Sequence, residues 1–475
     1  MTNVQLSYDP SKGRWRGKGA GVGELIAVVL VALVFGCSGR KIVGLRKAFV
    51  KRHAPAATAQ AGARANAPER VSPRKHSFNV LLLTVDAMRA DVPWQGYPRD
   101  ILPNLTRLAK ESVVYTNAYS VSSSTPKSLA ALFTGRYPSS LYRSGWFFAG
   151  YTQSELFLAQ RLRDAGITTI GWQVHPYLQH AKGLSQGYTV WQLVRPQHVV
   201  DASNPESTGP DLTATGIELL GKPEVTARQF FAWTHAMDPH EAYVKHPECP
   251  DFGNRERDRY DSELCFTDKW LGRLLDWARE QTWWDDTVVI VTSDHGETFG
   301  EHGMAHHAFE LWEPLVRVPL LIRVPGVAAK RIDARRSHID LAPTILELMG
   351  QPLGDGFAGR SLVPELFGER SPEPREPIIL DLPEDTNESS RRAIIDGNYK
   401  LIAFGSERFS LYDIATDPQE STDLAAREPR ALEQMKRKLA AVEAQTPYVQ
   451  PYGGMKLASG RLANGPMRPS SVHFK

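Results

Sequence analysis

Residues Asn79–Val85 read NVLLLTV, an unbroken apolar run that stops at Asp86. A run of this length without alternation predicts a β-strand that is buried on both faces. Runs of the same character occupy residues 167–172, 230–234, 287–292 and 318–324. Helical patterns lie between them, for example at residues 104–111 and 268–281. This alternation predicts an α/β domain with a mainly parallel sheet that is sandwiched by helices.

Polar residues follow several of these runs. Asp86 ends the first, residues 235–240 (HAMDPH) follow a later one, and residues 293–307 (SDHGETFGEHGMAHH) follow the run at 287–292. The last segment holds three carboxylates and four histidines, which are typical ligands of a divalent metal. Because the carboxyl ends of parallel strands meet at one edge of a sheet, the pattern predicts a metal site there. The alternative is a solvated polar loop.

Residues 122–136 (SSSTPKSLAALFTGR) predict a short helix. Pro126 suits the first turn, Thr125 or Ser124 would be the N-cap, and Gly135 would end the helix. A hydroxyl group at this point lies at the positive end of the helix dipole, where a bound sulfate or phosphate is stabilised. The alternative reading is that Thr125 only caps the helix.

The composition excludes several classes of protein. The chain has 475 residues, of which 42% are hydrophobic and 23% charged, so collagen-like, coiled-coil and wholly disordered proteins are excluded. Residues 1–75 hold 14 Lys and Arg against three Asp and Glu, while the remainder has eight more acidic than basic residues. A basic tail before an acidic body argues against a nucleic-acid partner, since the basic surface should then lie on the folded part.

The chain changes character near residue 371. Residues 392–414 read as short strands joined by Asp396-Gly397-Asn398 and Gly405-Ser406, which are hairpin signals, and residues 429–444 have helical spacing. We therefore predict a main domain over residues 77–370, a small antiparallel β subdomain with one helix over 371–447, and an irregular tail over 448–475.

Several motifs stand together in one order. They are VDAMRAD from Val85, STPKSLAALFTGRYPS from Ser124, MDPHEAY from Met237, VTSDHGETFGEHG from Val291, HHAFELWEPLVRVPLLIR from His306 and LYDIATDPQESTDL from Leu411. With them the chain resembles the sulfatase branch of the alkaline phosphatase superfamily over residues 79–424. The resemblance implies an alkaline-phosphatase-like fold and a metal-dependent hydrolase that cleaves sulfate or phosphate esters.

The resemblance implies a role for each matched residue. Asp86, Asp294 and His295 match the family's metal ligands, and Thr125 occupies the position of the nucleophile. Activated by the metal, the Thr125 hydroxyl group would attack sulfur or phosphorus in line.

The resemblance implies that the matched histidines contact the substrate. His240 matches the histidine that binds the transferred group, and His307, or its neighbour His306, matches the basic residue that contacts the leaving group or the metal. The weaker candidates for substrate binding are Lys127, Arg89, His306 and Asp238.

Two departures from the family pattern bear on the chemistry. Sulfatases carry Cys or Ser at the nucleophile position, followed by Pro and Arg, and convert that residue to formylglycine. Here Thr125 stands there, with Lys127 and Leu129 in place of the Pro and Arg, so no formylglycine is expected. In addition, Ala87 replaces a second aspartate, and the imidazole of His295 favours Mn or Zn over Ca or Mg.

Three functions compete on this evidence. The first is a sulfatase-like hydrolase with a threonine nucleophile, acting on a sulfated or phosphorylated glycan, lipid or small-molecule ester. The second is a transferase of the phosphoethanolamine or glycerol-phosphate type, which acts on an envelope lipid or glycan. The third is a non-catalytic binding protein that keeps the fold. Variable loops would set the substrate, and Trp146, Phe147 and Phe148 suggest an apolar or sugar-stacking wall, or else ordinary exposed aromatic residues.

The amino-terminal region is predicted to target the protein to a membrane. A basic segment at residues 1–20 precedes an apolar run at 21–37, which fits a membrane anchor or a lipoprotein-type signal ending at Cys37. Residues 38–76 would form a basic, Ala/Pro-rich linker. Basic residues after the run favour a cytoplasmic domain, but the family resemblance favours an extracytoplasmic one, and we expect a membrane-anchored domain on the periplasmic or cell-surface side. In an exported domain Cys249 and Cys265 would form a disulfide, and in a cytosolic one they would stay thiols.

Overall fold

The computed structural model describes two strands near the amino terminus and then residues 77–175, 178, 183–194, 208–373 and 377–453. The chain forms two compact units, Met1–Arg70 and Val71–Lys475. In the first unit, β1 (Gln5–Asp9) pairs antiparallel with β2 (Arg14–Lys18).

The predicted anchor, most of the linker and the end of the tail lie outside the described residues. Over the described part of the chain, no helix has the length and apolarity needed to cross a bilayer.

One nine-stranded sheet organises the larger unit. Its strands are β3 (Asn79–Val85), β4 (Val113–Tyr119), β5 (Thr168–Gln173), β6 (Val190–Leu193), β7 (Phe230–Ala236), β8 (Thr287–Ser293), β9 (Arg317–Arg323), β10 (Lys330–Ile332) and β11 (Arg336–Ser337). Their order is β10-β4-β9-β8-β3-β7-β5-β6, and β11 also pairs with β4. Only β9 runs antiparallel to its neighbours among these strands. The predicted mainly parallel sheet is confirmed.

Helices cover both faces of this sheet. They are α1 (Pro103–Ala109), α2 (Thr125–Thr134), α3 (Leu158–Asp164), α4 (Gly209–Leu220), α5 (Pro223–Thr226), α6 (Glu256–Arg279), α7 (Glu313–Val316), α8 (Leu341–Leu348) and α9 (Val363–Leu366). Val80 and Leu82 of β3 pack in the core with α2, α3 and α8, whereas Leu81 and Leu83 pack in the core with α1, α4 and α6. The unbroken apolar run of β3 is explained by this burial on both faces.

A second, four-stranded antiparallel sheet follows in the order β12-β13-β14-β15. Its elements are β12 (Ile378–Leu382), β13 (Arg391–Asp396), β14 (Tyr399–Phe404) and β15 (Arg408–Asp413), followed by α10 (Pro429–Glu443). One face packs on α10 through Met435 and Leu439, and the other packs on the segment that carries α7. The predicted small β subdomain with one helix is confirmed, and β12 is an additional strand.

The helix predicted at residues 268–281 is present, but its predicted start is wrong. It is the second half of α6, which begins twelve residues earlier at Glu256. The first half of α6 buries charged residues that break the apolar pattern. Asp258 and Asp261 pair with Arg99, and Glu263 accepts the N–H of Val244 and pairs with His246. Buried carboxylates that are paired in this way cannot be recognised from hydrophobic periodicity.

A disulfide links Cys249, in the loop before α6, to Cys265 within the helix. The two Cα atoms lie 6.1 Å apart, and the bond closes a stretch with a sequence separation of 16. The structure therefore has the bond that was expected for an exported domain.

Candidate active site

Four segments bring polar side chains to one edge of the large sheet. Asp86 follows β3, His235 is the penultimate residue of β7, and Asp294 and His295 follow β8, which pairs with β3. These four side chains are completely buried. Thr125 begins α2, and its hydroxyl group reaches the same point. Since β8, β3 and β7 are neighbours in the sheet, residues more than 200 positions apart in sequence meet here.

Asp86 and Thr125 lie at the centre of the cluster. Thr125 Oγ1 lies 3.3 Å from Asp86 Oδ2 and 3.1 Å from His295 Nε2. His295 Nε2 is also 3.3 Å from Asp294 Oδ2, and His235 Nε2 is 3.1 Å from Asp86 Oδ2. The threonine hydroxyl group is thus held between a carboxylate and an imidazole.

The local sequence explains how Thr125 is held. Ser124 is the N-cap in an extended conformation, so Thr125 is the first helical residue, and Pro126 stands in the first turn. Ser128 Oγ, one turn later, donates a hydrogen bond of 2.5 Å to the carbonyl oxygen of Asp294. This bond fixes the start of α2 against the end of β8. Of the two N-caps that the sequence allowed, the structure has Ser124.

Glycine is required where the β8 loop turns. Gly296 donates its N–H to the carbonyl oxygen of Leu315, and a Cβ atom at this position would lie 2.0 Å from the carbonyl oxygen of Pro314. Any side chain here would therefore push the Asp294–His295 pair away from Asp86.

The cluster has the donor set of a divalent cation site. Ligand atoms of Asp86, Asp294 and His295 all lie within 4.8 Å of one another. Asp86 Oδ1 and Asp294 Oδ2 are buried and have no hydrogen-bond partner in the described chain, which is costly for a carboxylate unless a cation binds it. The predicted metal ligands are therefore brought together, and they fit a cation.

The electrostatics of the cluster agree with that donor set. Burial raises the pKa of Asp86, but the hydrogen bond from His235 and the nearby His240 and His295 outweigh it, so the pKa lies well below its usual range. Burial lowers the pKa of His295 more strongly than Asp294 raises it, so its imidazole is held neutral. A charged carboxylate and a neutral imidazole are the forms that bind metals.

His240 and His307 line the other side of Asp86. One ligand atom of each lies within 4.8 Å of the other and of Asp86. The His307 ring centroid is 4.3 Å from that of His295 and 5.1 Å from that of His240. Both histidines assigned to the transferred and leaving groups thus lie beside Asp86, the carboxylate that the predicted nucleophile contacts.

Glu297 holds His307 in place. Glu297 Oε2 lies 3.1 Å from His307 Nδ1 and also accepts the Tyr243 hydroxyl group at 2.6 Å. Burial lowers the pKa of His307, but the Glu297 carboxylate outweighs it and raises that pKa above its ordinary value. With Nδ1 bonded to Glu297, Nε2 is the nitrogen that is left for the site.

Arg89 and Lys127, the predicted substrate contacts, are each paired with carboxylates. Arg89 pairs with Asp91 and Glu301 and donates to the Glu297 carbonyl oxygen. Lys127 is buried and pairs with Asp385 at 2.6 Å. Burial lowers the pKa of Lys127, and Asp385 opposes that shift. Their charges are therefore at least partly balanced within the fold, and their contact with a substrate stays a prediction.

Asp238 also has a partner within the fold. Its Oδ1 accepts the N–H groups of Thr208 and Gly209 at the start of α4, so it caps a helix. His306 pairs with Glu241 at 2.7 Å and is partly exposed at the edge of the site. Of the two adjacent histidines, His307 is the one in the cluster.

Sequence reasoning missed three residues of the site. His235 lies at the end of a predicted strand. A histidine at a strand end was a signal in the sequence that it could belong to the site. Glu297 lies in the acidic segment after β8, but nothing in the spacing connected it to His307. Asp385 has no local signal at all, because it follows β12 and reaches α2 only through the tertiary fold.

Comparison with known proteins places the chain in a family. The sequence model of the family named Sulfatase matches residues 78–351, and the model of the N-sulphoglucosamine sulphohydrolase C-terminal region matches residues 300–445. The choline-sulfatase of Rhizobium meliloti is 31% identical over 177 residues, which is 36% of this chain and 33% of that protein. The ulvan-active sulfatase of Formosa agariphila is 27% identical over 350 residues, 64% of this chain and 68% of that protein. The matched stretches thus span between a third and about two thirds of these relatives.

Solved structures agree on the fold. The phosphonate monoester hydrolase of Agrobacterium radiobacter superposes with a TM-score of 0.65 at 20% identity, over 78% of this chain and 96% of that one. Members of the sulfatase family generally bind a divalent metal, in agreement with the Asp86–Asp294–His295 cluster. The Sulfatase family model matches more than half of the residues of this chain. The chain therefore belongs to the sulfatase family of the alkaline phosphatase superfamily.

Proposed function

We propose that the protein is a metal-dependent hydrolase of sulfate or phosphate esters that uses Thr125 as its nucleophile. The observation that carries the proposal is the position of Thr125 Oγ1, within 3.3 Å of both a metal-ligand carboxylate and a metal-ligand imidazole. The family membership supports ester hydrolysis in general. The identity of the nucleophile rests on the geometry.

The chain's own residues supply binding, orientation and proton transfer. Asp86, Asp294 and His295 would hold a divalent cation, and the imidazole among them favours Mn or Zn over Ca or Mg. When bound, such a cation lowers the pKa of a neighbouring hydroxyl group and polarises the ester. Thr125 Oγ1 donates a hydrogen bond to Asp86 Oδ2, which would orient it for in-line attack on the ester.

The two histidines complete the site. His240 faces the equatorial oxygens of the transferred group, and His307, held by Glu297, donates a proton from Nε2 to the departing alkoxide. Thr125 would then carry the sulfuryl or phosphoryl group until water releases it. No formylglycine is needed in this scheme, since an unmodified threonine hydroxyl group already occupies the nucleophile position.

The disulfide supports a place outside the cytoplasm. Disulfides persist in oxidising compartments and are rare in reducing ones. We therefore propose an extracytoplasmic domain that is carried by the apolar run at residues 21–37. The names of the relatives include a choline-sulfatase and an ulvan-active sulfatase, which supports a small-molecule ester or a glycan ester as substrate.

The test compares three substrates with matched variants. The full-length protein, supplied with Mn or Zn, is assayed against an aryl sulfate, an aryl phosphate and an aryl phosphodiester. We expect turnover of at least one ester, its loss in EDTA, and a fall in kcat of roughly a thousandfold or more in Thr125→Ala. Thr125→Ser is the matched control and should keep measurable activity, because it keeps the hydroxyl group.

Each outcome has a distinct meaning. A Thr125→Ala variant that keeps its activity would show that the nucleophile is another residue, and Ser124 would be tested next. If the sulfuryl or phosphoryl group is transferred to an added alcohol in preference to water, the transferase is favoured. A protein that binds no divalent cation and turns over none of the esters would favour a non-catalytic binding protein.

A further inference from the structure

The C-terminal subdomain buries a lysine that the proposed chemistry does not use. Lys400 lies on β14 and is completely buried. Its Nζ atom is 3.0 Å from Glu313 Oε1 and 2.8 Å from Glu420 Oε1, and both of these glutamates are buried as well. Glu420 Oε2 also accepts the backbone N–H of Glu313 at 2.6 Å. Two carboxylates and one ammonium group therefore form a single buried cluster.

Glu313 connects this cluster to α7, of which it is the first residue. The next two residues of that helix, Pro314 and Leu315, offer their carbonyl oxygens to the loop after β8. The Leu315 oxygen accepts the N–H of Gly296 at 2.8 Å, and the Pro314 oxygen accepts the N–H of Glu297 at 3.1 Å. The backbone of α7 is therefore the surface against which this loop turns.

Both loop residues orient a histidine of the candidate site. The Gly296 carbonyl oxygen lies 2.9 Å from His295 Nδ1, which leaves His295 Nε2 facing the Asp294 carboxylate. Glu297 holds Nδ1 of His307 in the same way. A carbonyl or carboxylate oxygen on the second ring nitrogen fixes the orientation of a metal-binding histidine. A displacement of α7 would therefore be passed on to both imidazole rings.

The charges of the cluster explain why Lys400 is needed to keep α7 in place. Without its ammonium group, the carboxylates of Glu313 and Glu420 would face each other in the protein interior. Two buried like charges repel, and removing one partner of a buried ion pair is strongly destabilising. Burial raises the pKa of Glu420, and Lys400 opposes that shift. Loss of Lys400 would therefore protonate Glu420 or displace Glu313, and either change weakens the attachment of α7 to the subdomain.

We propose that Lys400 is a positioning residue for the metal site. Acting through Glu313 and α7, it holds Gly296 so that the His295 imidazole stays beside Asp294. The C-terminal subdomain thus takes part in the site, although the three predicted metal ligands all come from the main domain. This inference rests on the proposed function, because the site that Lys400 positions is the one assigned to the cation.

The test measures cation affinity apart from turnover. Full-length wild-type protein and Lys400→Met are stripped of metal, and Zn is titrated in competition with a chromophoric chelator. Methionine keeps most of the length of the side chain and removes the charge. We expect the dissociation constant for Zn to rise about tenfold, as is common when an outer partner of a metal ligand is lost. With Zn at saturation, kcat should fall by a similar factor, and KM should stay within about twofold of wild type.

Two further variants separate positioning from a general loss of stability. Arg336→Met breaks the buried Arg336–Glu365 pair, which joins β11 to α9, and β4 and β9 separate β11 from β8. It should lower the urea midpoint of unfolding and leave the Zn dissociation constant within about twofold of wild type. In Lys400→Met with Glu420→Gln the repulsion between the carboxylates is also removed, so part of the lost Zn affinity should return.

The possible results point in different directions. If the wild type binds neither Zn nor Mn, the proposed function fails and this inference with it. If Lys400→Met lowers stability but keeps the wild-type Zn affinity, Lys400 is only structural and the inference alone is wrong. The same conclusion follows if Arg336→Met weakens Zn binding as much as Lys400→Met does. Should Lys400→Met fail to fold, Glu313→Gln takes its place, because it loses the same ion pair and keeps the side-chain shape, and an unchanged Zn affinity in it overturns the inference.

Discussion

Glu297 shows how a single buried carboxylate can prepare a site without touching the substrate. It accepts from Tyr243 and bonds to His307 Nδ1, which fixes both the orientation of that ring and the nitrogen that faces Asp86. Such outer partners of catalytic or metal-binding histidines commonly change activity by one to two orders of magnitude.

We therefore predict that Glu297→Gln lowers kcat by about ten- to a hundredfold with little change in KM. The amide keeps the shape and an acceptor oxygen but loses the charge that favours the His307 proton. Steady-state kinetics measure the split between kcat and KM, and thermal unfolding shows that the fold is kept. Tyr243→Phe removes the other bond to Glu297 and should cost less. An unchanged kcat in Glu297→Gln would contradict the positioning role.

At the scale of elements, the short 3-10 turn His338–Asp340 packs beneath β8. His338 is completely buried, and its Nε2 lies 3.0 Å from Thr292 Oγ1. Burial lowers the pKa of His338 to about 3, from an ordinary value of 6.5. As the pH falls below 6.5 the unfolded chain takes up this proton first, so the stability that His338 contributes is complete above that pH and is lost progressively toward pH 3.

This sign gives a measurable prediction. Between pH 7 and pH 5 the wild-type free energy of unfolding should fall by about 2 kcal/mol because of His338 alone. His338→Gln keeps a hydrogen-bonding side chain without a titrating ring, so its stability should fall less over the same range. Urea unfolding at the two pH values measures the difference. Parallel pH profiles for the two proteins would show that His338 is not the group responsible.

At the scale of the whole molecule, the Cys249–Cys265 bond fastens the loop after β7 to α6, the longest helix in the described part of the chain. Closing a loop of this length restricts the unfolded chain and typically contributes about 3 kcal/mol. We predict that Cys249→Ser with Cys265→Ser lowers the free energy of unfolding by about that amount. The reductant dithiothreitol should destabilise the wild type similarly and leave the double variant unchanged. If reductant has no effect on the wild type, the bond is absent in solution, and the argument for an oxidising compartment is lost.

The sequence by itself determined the class of fold and much of the site. All five apolar runs are strands, because burial on both faces of the central sheet leaves a local mark in the residues themselves. The residue types of Asp86, Asp294 and His295 and their positions after strands predicted a metal site, and the structure brings these three side chains together.

Only the tertiary structure decided the partners of these residues. The pairing of β8 with β3 and of β3 with β7 brings His235 to Asp86, and the packing of the C-terminal subdomain brings Asp385 to Lys127. Lys127 and Arg89 look like anion contacts in the sequence, yet each is ion-paired within the fold, and Asp238 uses one oxygen to cap α4. The physical reason is that burial preferences act locally along the chain. Hydrogen bonds and ion pairs, by contrast, depend on which distant segments become neighbours, and strand order is not written in any one segment.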